Sequence, residues 1–253
     1  TLINGGAGMG KTTLVNIVAK QLAIPMKEII GETEADKVLE IVMDLKGGIL
    51  FIDEVHALKT ETMEKLYSIM EDFKYEGESI PEFTLFGATT EMGELIKRAK
   101  PFYDRFKIII ELENYSISEM KQMARGYRDR KYPSDSLDEK AVNILAKNCK
   151  LTPRALIRLI DTAICFDGDI KATLKSFNII HNGFTSKDLQ ILKYLANNKK
   201  GTGLQGLTAY LNTSQQNYLY ESEPYLIQNE LILRNPRGRV ITEKGMRLVK
   251  QLE

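Results

Sequence analysis

Apolar and polar positions alternate along this chain in two different rhythms, and the change from one to the other divides it. Thr1 to Asn4 reads as a short strand, and a helical pattern follows from Lys11 to Leu22. Gly48 to Asp53, Phe83 to Ala88 and Lys107 to Leu112 are short apolar runs without the period-2 polarity of a half-exposed strand. Between the first two lies a helix with Met63, Leu66, Tyr67, Met70 and Phe73 on one face. Apolar strands alternating with helices predict a parallel sheet covered on both faces.

After Leu112 the strand signals stop and helix start signals take over. Ser116-x-x-Glu119 and Ser136-x-x-Glu139 fit capping boxes, and Thr152-Pro153 fits an N-cap followed by proline at the first helical position. From Phe184 a third region begins. Thr185-x-x-Asp188 opens one helix, Leu204 to Leu211 forms a second and Gln215 to Gln228 a third. Leu231 to Arg234 and Arg239 to Thr242 then form a hairpin across Asn235-Pro236-Arg237-Gly238. Three helices and a hairpin predict a winged helix. The expected division is 1–113, an α/β domain that opens inside a strand and so lacks its N-terminus, 114–177, a small helical domain, and 178–253, the winged helix.

Composition excludes more than it selects. With 43% apolar and 27% charged residues, the chain is neither disordered nor fibrous. Its two cysteines, Cys149 and Cys165, lie in helical patterns and make a disulfide framework or a Cys-rich zinc site unexpected, which points to a reducing, cytoplasmic setting. No apolar run approaches the roughly 18 residues of a membrane span. The net charge is +1, but residues from Asn178 onward hold ten Lys/Arg against six Asp/Glu, so the basic surface belongs to the winged helix.

The chemistry lies at the strand ends. Gly5-x-x-x-x-Gly10-Lys11-Thr12 matches the phosphate-binding loop and sits between a strand and a helix, as that loop requires. Gly5, Gly6, Ala7, Gly8, Met9 and Gly10 would wrap backbone N–H groups around a phosphate, joined by the N-terminal amides of Lys11, Thr12 and Thr13. The Lys11 ammonium would reach the β/γ oxygens and the Thr12 hydroxyl a Mg2+ ion. The buried strand Ile49–Ile52 ends in Asp53-Glu54, where Asp53 would hold the metal and Glu54 would orient or deprotonate a water. Thr89-Thr90, ending the next strand, offers a hydroxyl to the same crevice. The cofactors expected are therefore ATP and Mg2+.

These residues carry a family resemblance. ILFIDEVHAL at 49–58, YSIMEDF at 67–73, FTLFGATT at 83–90, DRF at 104–106, TPR at 152–154, EPYLIQ at 223–228 and NPRGRV at 235–240 resemble RuvB, the AAA+ motor of Holliday-junction branch migration. The resemblance implies a P-loop AAA+ parallel-sheet domain, a helical lid domain and a C-terminal winged helix, assembled as a hexameric ring that drives double-stranded and branched DNA. It implies that Thr90 is a sensor of the γ-phosphate and that Arg105 is a finger completing the neighbouring subunit's site. Arg154 would contact the γ-phosphate from the lid, and His56 matches the family's DE-x-H. Arg234, Arg237 and Arg239, on and beside the wing tip, suit contact with DNA phosphates without reading sequence.

The chain departs from the family at four places. Between Phe73 and Phe83 it is too short for the hairpin that docks the partner RuvA, which leaves that contact open. Tyr103 replaces an arginine before DRF, extra residues stand at Lys97 to Lys100, and Leu151 replaces the glycine before TPR. The competing expectation is a clamp-loader-like AAA+ adaptor that assembles a protein partner on DNA. A DNA-binding module using ATP only as an oligomerisation switch is a third.

Overall fold

A computed structural model describes residues 1–133 and 137–252, which divide into two compact units, Thr1–Asn114 and Tyr115–Glu253. The first contains β1 (Leu2–Asn4), α1 (Lys11–Leu22), β2 (Met26–Ile30), α2 (Ala35–Leu45), β3 (Ile49–Asp53), α3 (Thr60–Asp72), β4 (Lys74–Tyr75), β5 (Glu78–Ser79), β6 (Thr84–Thr89), α4 (Met92–Arg98), α5 (Lys100–Tyr103) and β7 (Ile109–Glu111). Five strands form an all-parallel sheet in the order β2-β3-β6-β1-β7.

The continuous apolar run of β3 follows from helices covering both faces. Leu50 and Ile52 join Leu2 and Leu85 in a core with Val38, Val42, Met63 and Leu66 from α2 and α3. Ile49 and Phe51 point the other way, to Ile3, Ala88 and to Val15 and Ala19 of α1. Each such side chain, fully buried, contributes about 1.5–3 kcal/mol, so the β3 register is held from both sides and its acidic tip cannot slip.

The sheet has one strand more than the sequence pattern indicates. β2 is an edge strand whose Lys27 and Glu28 are exposed, so it carries little apolar signal. α2 has no side-chain cap to mark its start, although Val38, Val42 and Leu45 line one face. Between α3 and β6 the short segment folds as a minimal hairpin, β4 with β5, turning through Glu76 and Gly77 at positive φ.

The second unit contains α6 (Ile117–Lys131), α7 (Glu139–Lys147), α8 (Pro153–Cys165), α9 (Ile170–Ser176), β8 (Ile179–His181), β9 (Phe184–Thr185), α10 (Ser186–Asn197), α11 (Leu204–Tyr210), α12 (Gln215–Asn217), α13 (Glu223–Gln228), β10 (Ile232–Asn235), β11 (Gly238–Ile241) and α14 (Glu243–Leu252). Ser116 and Glu119 form the expected reciprocal cap, as do Thr185 and Asp188. The other two caps differ. Ser136 lies outside the described residues, and the helix assigned to it begins at Glu139 with Asp138 accepting the Ala141 N–H. Thr152 occupies the N-cap of α8 with proline following, yet its hydroxyl caps no helix amide and turns to Cys149 O at 3.4 Å.

One core joins α6, α7 and α8 through Met120, Val142, Leu145 and Ile160; another joins α10 to the wing through Ile191, Leu195, Tyr218, Leu226 and Ile232. The helix expected over Gln215 to Gln228 is divided by a π turn at Tyr218–Ser222. Among the described residues, no helix is long and apolar enough to cross a membrane.

Candidate functional site

Strand order places the chemistry. In a parallel sheet all C-terminal ends lie at one edge, and β6 runs between β1 and β3. The phosphate loop leaving β1, the hydroxyls ending β6 and the acids ending β3 are therefore three adjacent tips, at the edge where such sheets bind ligands. The Gly5 N–H donates to Thr89 O at 3.2 Å and ties the first two tips directly.

In the loop, Gly8 (φ 76) and Gly10 (φ 92) adopt left-handed conformations that glycine reaches without strain. Gly10 N-caps α1 with no side-chain hydrogen bond, and the first turn has no acid. The helix dipole and its first amides are thus set for an anion. Lys11, 6% exposed, donates to Gly5 O at 2.8 Å and Gly6 O at 3.2 Å, which places its ammonium within the loop. Thr12 is half-buried; Thr13, Gly6 and Ala7 are exposed and Met9 is buried.

Glu54 is held on three sides. Its Oε2 accepts from the Thr90 hydroxyl at 3.0 Å and the Thr90 N–H at 3.2 Å, and His56 Nδ1 lies 3.3 Å away. The same imidazole nitrogen is 2.9 Å from Thr89 Oγ1, which accepts the Glu91 N–H at 3.0 Å. Asp53 Oδ1 accepts the Glu54 N–H at 3.1 Å. Glu54 itself is left-handed at φ 49. Such a conformation costs a non-glycine residue about 1–3 kcal/mol and persists where its surroundings enforce it.

Two further residues support this turn without any sequence signal. Arg98 donates to His56 O at 2.6 Å and to Leu58 O at 3.0 Å, pinning the turn after Glu54. Gly31 lies so close beneath that a Cβ there would meet Glu54 O at 2.2 Å. An isolated arginine and an isolated glycine announce nothing until the sheet brings them to the turn.

Arg105 follows α5 and lies on α3. Its guanidinium is 3.0 Å from Glu71 and stacks on the Tyr67 ring at 4.4 Å. Hydrogen bonding to Tyr67 and then to Glu71 raises its already high pKa. Arg154 belongs to the second unit, exposed in the first turn of α8.

The three wing arginines are placed unequally. Arg234 and Arg239 are cross-strand partners, and both turn to Glu223, a fully buried carboxylate at the start of α13. Arg239 donates from Nε to Oε1 at 2.6 Å and from its terminal nitrogen to Oε2 at 3.3 Å, and Arg234 donates to Oε2. The Arg239 side chain is only 13% exposed, so it serves the hairpin's interior rather than an outer surface. Arg234 remains 58% exposed, and Arg237 at the tip is exposed. Burial alone would raise the Glu223 pKa; the bonds from Arg239 and Arg234 outweigh it and hold the carboxyl below its ordinary value.

This loop, these acids and the intervening hydroxyl, on a sheet with a strand inserted between β1 and β3, define a P-loop nucleotide-binding protein that also carries a winged helix. Residues 1–112 match the family Holliday junction DNA helicase RuvB P-loop domain, and residues 181–250 match the RuvB C-terminal winged helix domain. The chain is 33% identical over 278 residues to the Holliday junction branch migration complex subunit RuvB of Ehrlichia chaffeensis, covering all of this chain and 83% of that one. A relative of the same description from Prochlorococcus marinus is 33% identical over 277 residues, covering 98% of this chain and 77% of that one. The solved structure of the Thermotoga maritima RuvB Holliday junction branch migration motor superposes with a TM-score of 0.82 at 32% identity, over 98% of this chain and 86% of that one. The chain belongs to the RuvB family.

Proposed function

We propose that this chain is an ATP-driven ring motor of the cytoplasm that translocates duplex DNA and migrates Holliday junctions in recombination and repair. The observation that carries this reading is the convergence of Lys11, Thr90, Asp53 and Glu54 on three neighbouring strand tips of a chain that also bears a winged helix. The relatives' shared description as branch-migration subunits supports the same reading.

The residues present fit ATP and Mg2+. The uncapped amides of α1 and the buried Lys11 suit a polyphosphate. Among the described residues no cluster of three or more His, Cys, Asp or Glu exists to cage a metal. Asp53 and Thr12, one carboxylate and one hydroxyl, would hold Mg2+, a cation bound through few protein ligands. When bound, that ion neutralises charge on the phosphate oxygens.

Lys11 and the loop amides orient the phosphates, and Glu54 takes the proton of the attacking water. Thr90 fixes the carboxylate that does so, and its hydroxyl stands where a change at the γ-phosphate is felt. Arg105 supplies its guanidinium to the neighbouring subunit's site, exchanging the contact with Glu71 for transition-state charge. Arg154, by family likeness, contacts the γ-phosphate of its own subunit's nucleotide from the lid. A finger given in trans makes a closed ring, six subunits by family likeness, the active unit. Arg237, with Arg234, meets DNA phosphates. The short hairpin of β4 and β5 supports loading that is independent of a RuvA-like partner.

The test is Mg-ATP turnover by the full chain alone, with linear duplex and with a four-way junction. Turnover that DNA stimulates, and that Lys11→Ala abolishes, is the expected result. Lys11-dependent turnover indifferent to every DNA would favour the clamp-loader-like adaptor, and DNA binding with negligible turnover would favour the oligomerisation switch.

A further inference from the structure

The wing has a second basic element beside it. The segment 198–203, between α10 and α11, reads Asn-Lys-Lys-Gly-Thr-Gly. Thr202 pairs with Arg239 of β11 through two backbone hydrogen bonds, its N–H to Arg239 O at 3.0 Å and the Arg239 N–H to Thr202 O at 2.8 Å. The bridge attaches the segment to the hairpin as a one-residue third strand.

Two glycines at positive φ make the approach close. A Cβ on Gly238 (φ 119) would fall 2.1 Å from Thr202 O, and one on Gly201 (φ 104) would fall 3.1 Å from Arg237 Cβ. The backbone of Gly201 therefore lies against Arg237, and Lys199 and Lys200 immediately precede it. Both lysines are exposed, and among the described residues neither has a carboxylate partner.

Charge at this face is one-sided. Segments 198–203 and 233–241 together hold Lys199, Lys200, Arg234, Arg237 and Arg239 and no acid. Glu223, the carboxylate that the hairpin's Arg239 and Arg234 bond, is fully buried. What faces solvent is Lys199, Lys200 and Arg237, with the exposed part of Arg234. The segment from Asn212 to Gln228, by contrast, contains no Lys or Arg and exposes Gln215, Gln216, Tyr220 and Glu221.

We propose that Lys199 and Lys200 form, with Arg237, one continuous phosphate-binding face that grips the backbone of duplex DNA, and that the Thr202–Arg239 bridge positions the two lysines for it. This rests on the wing's being the DNA-contacting surface. The ligand is the phosphodiester backbone: lysine ammoniums act as point charges on flexible stems, which neutralise phosphates without reading bases. Arg239 then has two structural duties, its side chain on Glu223 and its backbone on Thr202.

The experiment is equilibrium binding of the full chain to a fluorescent mixed-sequence duplex between about 50 and 200 mM salt, the range in which counterion release is read. The variants are Lys199→Ala/Lys200→Ala, the charge-retaining Lys199→Arg/Lys200→Arg, and Arg237→Ala, each checked for folding by its thermal melt. The double alanine variant is expected to lower the slope of log K against log salt by about 2. That slope change corresponds to about 100-fold weaker binding near 0.1 M salt relative to a 1 M reference. The double arginine variant keeps the slope. An unchanged slope in the double alanine variant, with a loss in Arg237→Ala, overturns the proposal and leaves the wing reading standing. An equal loss in the double arginine variant also overturns it, because charge would not be what acts. No loss in any variant overturns the wing reading as well.

Discussion

Glu223→Ala tests the internal logic of the wing. The carboxylate has no exposed surface and accepts Arg239 Nε at 2.6 Å, with Arg234 on its other oxygen. Deleting one member of a buried ion pair costs about 3–5 kcal/mol, because the partner is left charged and unmatched. Arg234, 58% exposed, can turn to water, whereas Arg239 at 13% cannot, so one guanidinium is orphaned, and the buried Tyr218 hydroxyl loses its 3.4 Å bond to Oε1. The lower end, about 3 kcal/mol, is the expected loss. For a domain of this size class that is about 6–12 °C in the melting transition of the second unit. The assay is urea unfolding followed by circular dichroism, read as the midpoint at constant slope. Replacing Arg239 by Met in the same background should return part of the loss, since both charges are then gone. A loss below about 1 kcal/mol, the range of exposed surface pairs, would refute the reasoning.

The same pair sets a pH dependence. Glu223 is depressed in the folded state, so its contribution is complete above the ordinary carboxylate value of about 4.3 and disappears as the pH falls through the lower folded value. The wild-type midpoint should therefore fall more steeply below that value than the midpoint of Glu223→Ala; parallel curves would contradict the assignment. Thr90→Val removes the 3.0 Å hydroxyl bond to Glu54 and should slow steady-state hydrolysis about 100-fold, the scale of a misplaced catalytic group, whereas a full rate would mean the backbone N–H suffices. Arg105→Ala should cost at least about 10³-fold, and mixing it with Lys11→Ala subunits should restore turnover at interfaces that pair an intact loop with an intact finger; no recovery would exclude action in trans. Gly31→Ala places a methyl 2.2 Å from Glu54 O, and about 1–3 kcal/mol of destabilisation with loss of turnover is expected; a neutral outcome would show that the turn shifts freely.

What the sequence discloses about this molecule follows the range of each physical signal. β3 is legible because both its faces are buried and every residue from Ile49 to Ile52 is apolar; β2, at the edge with Lys27 and Glu28 exposed, is not. Thr185 and Asp188 announce a helix because a capping box is local, whereas α2 begins at Ala35 after an N-cap, Glu34, whose side chain makes no capping bond to mark it. The phosphate loop is local and is fully readable. The clamp on Glu54 joins residues 36 apart through the pairing of β3 with β6, so only the sheet reveals it. The wing arginines show the limit most clearly. Their number gives charge but not direction, and Glu223, 11 residues before one and 16 before the other, turns Arg239 inward.

The most direct test of the motor is the conversion of a mobile four-way junction to two duplexes by the full chain, with and without ATP and with and without a RuvA-like junction-binding partner. The account predicts conversion that requires ATP and that Glu54→Gln abolishes while DNA binding persists. Conversion that proceeds equally without ATP or with Glu54→Gln would contradict it, as would hydrolysis that never moves the junction with the partner present.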